Sequence, residues 1–169
     1  MTTQLVISIF TDDRPGVVEQ VAAIVGRHQG NWLESALSRL GGKFAGILLA
    51  DVPTANQGAL EQDLASLATQ GIRVTVDHAG SHSGGGEEIA FEVIGNDRRG
   101  IVGEISSVLA RHSVSVDELY TSTESAPMSG DLLFRASASV VMPAGMDRDD
   151  LREILEQLST DLMVEFRDD

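Results

Sequence analysis

The sequence predicts an α+β fold built twice along one chain, and three observations predict it. A loop motif recurs together with the hydrophobic pattern around it, alternating apolar runs interleave with segments of helical spacing, and a Gly/Ser-rich stretch separates the two copies. Within the 169 residues, Asp13-Arg14-Pro15-Gly16-Val17-Val18 returns 84 positions later as Asp97-Arg98-Arg99-Gly100-Ile101-Val102. The same offset carries Val21, Ile24 and Val25 onto Ile105, Val108 and Leu109, and Arg27-His28 onto Arg111-His112. Further on, Phe44 aligns with Phe134 and Val52-Pro53 with Met142-Pro143 at an offset of 90, so the second copy gains six residues, near Ser122 to Gly130. Ile72, Val74 and Val76 then pair with Leu162, Val164 and Phe166. Self-similarity of this extent means that a whole structural unit is duplicated.

Each element follows from its pattern. Leu5, Ile7 and Ile9 alternate with Val6, Ser8 and Phe10, predicting a first strand that is central and largely covered. Asp12 to Gly16 end it. Pro15 suits the first turn of a helix, where its fixed φ is already helical, and Asp13 stands where it can cap free amides. Val17, Val18, Val21, Ile24, Val25 and His28 share one helical face, leaving Glu19, Gln20 and Arg27 outward. After the stop at Gln29-Gly30, Trp32 to Leu40 and Phe44 to Val52 read as two strands joined at Gly41-Gly42-Lys43. Gly58 to Gln70 carries Leu60, Leu64, Leu67 and Ala68 at helical spacing, and Gly71 separates it from a last strand at Ile72 to Asp77.

The resulting order, βαββαβ, is the ferredoxin-like split βαβ arrangement, with two helices on one face of an antiparallel sheet. The second copy repeats it, with strands near 88 to 95, 114 to 122, 131 to 142 and 161 to 167. Domains are therefore expected at 1–79 and 88–169, with 80–87 as a flexible Gly/Ser-rich linker.

Composition narrows the function. Twelve basic residues stand against 26 acidic ones, a net charge of -14, and this field repels phosphate backbones. Direct nucleic-acid binding is not expected, and a genetic role would run through a protein partner. No apolar run reaches membrane-spanning length and the first ten residues lack a signal-peptide pattern, so a cytoplasmic protein without membrane attachment is expected. The absence of cysteine excludes disulfides and thiolate metal sites.

No catalytic constellation stands out, so the chain is not expected to be an enzyme or to need a cofactor or metal. His78 and His82 lie close in sequence without a fixed third ligand, and the linker reading of that segment is preferred. His28 and His112 sit at equivalent helix ends, where a structural role outweighs general-base chemistry. Asp147-Arg148-Asp149-Asp150 reads as a capped helix start. Trp32 and Tyr120 occupy equivalent regions of the second strands and read as core or interface packing.

The recurring loop carries the functional reading. At Asp12 to Gly16, and again at Asn96 to Gly100, a strand meets a helix N-terminus, whose unpaired amides and positive dipole end favour a carboxylate. A neighbouring aspartate attracts an ammonium group and glycine admits a ligand close to the backbone, so the loop suits a zwitterionic amino acid. By spacing alone the plain turn and cap is the preferred reading of Asp-Arg-Pro-Gly, and repetition of the loop does not separate the two.

Asp13-Arg14-Pro15-Gly16-Val17-Val18, followed by Arg27-His28-Gln29-Gly30-Asn31, resembles the ACT domain, a small-molecule sensor of amino-acid metabolism. Two such domains in tandem resemble the glycine cleavage system transcriptional repressor group, whose members act through a DNA-binding activator. The resemblance implies effector contacts at the first strand-to-helix loop and the start of the second strand, at an interface between ACT domains. Carried over, these fall on Asp13, Arg14, Pro15, Gly16 and Asn31, and on Asn96, Asp97, Arg98, Gly100 and Ile101. In the second copy Pro15 is replaced by Arg99 and Asn31 by Ser115, which implies that one site is altered.

The expected function is thus an amino-acid-responsive regulator of transcription in amino-acid metabolism of the glycine cleavage type. It would act as a homodimer through a protein partner such as a DNA-binding transcription factor, with glycine entering only through the resemblance. The alternative is a ligand-independent structural or oligomerisation module.

Overall fold

The computed structural model describes residues 1–81 and 84–168. Contacts divide the chain into two compact units, residues 1–82 and 83–169. In the first, β1 (Thr2–Asp12), α1 (Val17–Arg27), β2 (Asn31–Leu40), β3 (Lys43–Pro53), α2 (Gln57–Ser66) and β4 (Arg73–His78) follow one another. In the second, β5 (Glu87–Asn96), α3 (Ile101–Arg111), β6 (Ser115–Ser125), β7 (Leu132–Met142), α4 (Arg148–Glu156) and β8 (Met163–Arg167) repeat the order. The sheets are antiparallel with strand orders β2-β3-β1-β4 and β6-β7-β5-β8. Each unit is therefore a ferredoxin-like α+β domain.

Period-two alternation builds both sheets. Leu5, Ile7 and Ile9 point into the first core with Leu48, Ala50 and Val52, against Val17, Val21, Ile24 and Val25 of α1 and Leu60 and Leu64 of α2. Each fully buried aliphatic side chain contributes about 1.5–3 kcal/mol relative to exposure. The opposite face of β1 is more open than the sequence suggests, since Val6 and Ser8 are half-buried and Phe10 is exposed beneath the Arg73 guanidinium. The helices cover one face only. Val18, assigned to the buried helical stripe, is 42% exposed, because the stripe that reaches the sheet is the narrower set Val17, Val21, Ile24 and Val25.

Both α1 and α3 start at a glycine in the left-handed region, Gly16 (φ 89°) and Gly100 (φ 84°), with no side-chain cap. The expected capping by Asp13 does not occur, and Pro15 lies in the turn before Gly16 rather than in the helix. By contrast, α4 carries a full capping box, Asp147 Oδ1 accepting from the Asp150 amide and Asp150 Oδ2 from the Asp147 amide. Register places the six-residue insertion at the β6–β7 turn. Leu40 faces Lys43 across the first hairpin while Glu124 faces Leu133 across the second, so residues 125–132 stand where Gly41-Gly42 close the first. Tyr120 is not in a core, since it lies on the fully exposed edge strand β6 and is itself 59% exposed, so of the expected core or interface packing only an interface suits it.

Candidate functional site

The first loop is held by paired charges. Asp13 donates its amide to the Gly42 carbonyl at 2.9 Å, and its carboxylate accepts from Arg39 Nε at 2.7 Å. Asp12 pairs with Lys43, which holds its carboxyl below the usual range. The loop is thus tied to the β2–β3 hairpin through both acids. Beside it opens a concavity of about 330 Å³ bordered by Asp13, Arg14, Gly16, Val18, Arg39 and Phe44.

Asp13, Arg14 and Gly16 come together there, flanked by the amide end of α1 that no side chain caps. Arg14 and Pro15 are exposed. Gly16 is needed for its positive φ, and a Cβ there would meet no other protein atom. Asn31 is not part of this group. It pairs with Asp51, which faces Gln4 on β1, whereas the loop follows Asp12, eight steps along the same strand and roughly 26 Å away at the usual strand rise.

The second loop is built differently. Asn96 donates its amide to Asp161 Oδ2 at 2.7 Å, and Asp97 donates to the Leu132 carbonyl at 2.9 Å. Arg98 pairs with Glu104 on the first turn of α3. Ile101 is 4% exposed with its side chain in the core, so it can offer a ligand only backbone. Hydrogen bonds from the Ser159 hydroxyl and from the Asn96 amide, with the charge of Arg98 nearby, hold the Asp161 carboxyl below its ordinary range. Sequence reading missed Asp161 because its counterpart at the offset of 90 is Gly71, and a position with no matching residue leaves no repeat signal.

The histidines behave as helix-end residues. His28 closes α1, its Nε2 lies 2.7 Å from Asp63 Oδ2 on α2, and its carbonyl accepts from Asn56 Nδ2 at 2.9 Å. His112 closes α3 and borders a groove shared with Ile154 and Leu158. His78 Nε2 lies 3.5 Å from Gln57 Nε2, and His82 falls outside the described residues. Among the described residues no three metal-ligating side chains cluster, and no helix is long and apolar enough to cross a membrane.

Residues 3–77, which span the first unit, match the family model of the ACT domain, and the second unit repeats the element order and strand order of the first. Over its whole length it is similar to a protein of unknown function from Galdieria sulphuraria, at 28% identity and a TM-score of 0.80, covering 99% of this chain and 100% of that one. It also matches the fold of a protein provisionally assigned as a glycine cleavage system transcriptional repressor, at 20% identity and a TM-score of 0.75, covering 100% of this chain and 99% of that one. No curated protein matches.

Proposed function

We propose that this chain is an amino-acid-responsive regulator that changes its grip on a protein partner and does not itself catalyse a reaction. One observation carries the reading. In the first unit an uncapped helix N-terminus, an exposed guanidinium at Arg14 and a carboxylate at Asp13 border one concavity. A ligand carboxylate would take the free amides of α1 and the Arg14 charge, and its ammonium would share Asp13 with Arg39.

The same chemistry favours the first unit over the second, where Asp161 already occupies the Asn96 amide and Glu104 the Arg98 guanidinium. The proposed contacts are therefore Asp13, Arg14, Pro15 and Gly16, with Asn96, Asp97, Arg98, Gly100 and Ile101 as a weaker or unused second set. Asn31, at the far end of its own sheet, would contribute only where another ACT-type surface met the loop. The net charge of -14 supports a protein partner, such as a DNA-binding transcription factor, over direct contact with nucleic acid. Similarity to a provisionally assigned repressor is compatible with such a role in glycine-cleavage-type metabolism.

Calorimetric titration against the twenty amino acids, beginning with glycine and serine, tests the reading. Saturable heat that Arg14→Ala abolishes is expected; no heat from any amino acid would overturn it. Gly16→Ala is the poorer control, since a Cβ at φ 89° strains the loop whatever it binds. A second reading, a ligand-independent oligomerisation module, has its own observation: β6 is an edge strand exposed along all 11 residues and can pair with a second copy. It predicts a homodimer whose mass in solution is unchanged by any amino acid.

A further inference from the structure

The duplicated fold lets one unit report what the other lacks. Trp32 and Val116 hold the same register position, Trp32 facing Ala50 on β3 and Val116 facing Val140 on β7, each beside the same one-residue bulge. Leu37 and Thr121 are likewise equivalent, facing Gly46 and Ala136. In the first unit Trp32 and Leu37 pack against the core from the edge strand. In the second, Val116 is 42% exposed, Thr121 is exposed, and both line an apolar crevice between α3 and β6.

Val102, Ile105, Leu119 and Ala136 complete the part of the wall that matters here, and almost no polar surface reaches it. A crevice of this chemistry disfavours water, which needs several polar partners to be held. From these two losses we propose that the second unit binds a small apolar ring of the indole class in this crevice, beside the strand position at which the first unit carries its own indole, Trp32.

The crevice as it stands offers a volume of about 30 Å³, within about 400 Å³ of space that takes in open solvent at its mouth. An apolar cavity that takes up benzene measures about 150 Å³ and indole is larger, so the ring enters only if the outer wall yields. That wall is the part free to do so, because Val102, Val116 and Leu119 are 41–47% exposed and β6 is an edge strand. The site is separate from the loop beside Arg14, and it calls for apolar rings rather than zwitterions.

The test is a titration of the full chain with indole, followed by amide chemical shifts, with glycine as a parallel titrant. Saturable shifts along Val116–Thr121 and Ile105–Leu109 are expected with indole, and none there with glycine. Val116→Trp should refill the crevice from within and weaken indole binding at least tenfold. Thr121→Leu, which restores at the exposed mouth the residue type of Leu37, should do the same and decides the matter if the tryptophan variant does not fold. Absence of saturable binding to the native chain, or native affinity in a folded variant, would overturn the proposal.

Discussion

The two units share strand order, register and bulge, yet they differ wherever a ligand could enter. The first has Trp32 packed at its edge and ties its loop to the β2–β3 hairpin beside a concavity; the second leaves an apolar crevice at its edge and ties its loop to Asp161 and Glu104. Their outer sheet faces diverge as well. In the second unit Glu92 gathers Arg135 and Arg167, with Arg135 also reaching Glu124 at 2.9 Å, whereas Ser8 stands at the Glu92 position of the first unit, hydrogen-bonded to Thr75. Duplication preserved what packs the core and released what faces solvent. This is the division expected when core positions are constrained by close packing and surface positions are not.

The comparison can be broken most forcefully at Gly46. A Cβ there would lie 2.0 Å from the Ala36 carbonyl oxygen, although the equivalent position in the second unit is Ala136. Gly46→Ala should cost the first unit about 3 kcal/mol, since backbone must move and φ is already 157°. Chemical denaturation would reveal it, and a near-neutral effect would mean that the two β-hairpins are interchangeable there. Trp32→Val, which gives the first unit the edge of the second, should cost about 2 kcal/mol, below the range for a fully buried tryptophan because this one is only partly covered. The same denaturation experiment measures it.

Glu92→Gln should destabilise the second unit by about 2 kcal/mol at neutral pH, because the carboxylate is 14% exposed and accepts charge-assisted hydrogen bonds. The Arg167 and then the Arg135 guanidinium hold its folded-state carboxyl below the ordinary value of 4.5. Its contribution is therefore present above that value and is lost as pH falls through the folded-state one, so native and variant unfolding curves should converge in acid. Smallest of all, Gly16→Ala and Gly100→Ala should each cost about 1 kcal/mol and do so equally, since both caps sit at matching positive φ with open space around the missing Cβ. Unequal losses by thermal denaturation would show that one loop carries strain the other does not.

Much of this was legible beforehand. The repeat located every strand and helix, since apolar periodicity survives where a core selects it, and Asp147 with Asp150 announced the cap on α4. The site was legible only in part. Asp13, Arg14 and Gly16 lie together because they are contiguous, but the placement of Asn31 depends on cross-strand register that spacing along one strand cannot reveal. Asp161 and the crevice behind Val116 were hidden for a related reason: each is a difference between copies, and a search for sameness passes over it.

Ligand binding at the first loop and not at the second is tested most directly by amide chemical-shift mapping during a glycine titration. Saturable shifts confined to Gly16–Glu19 are the predicted result; shifts confined to Gly100–Glu104, or equal shifts at both helix starts, would contradict it.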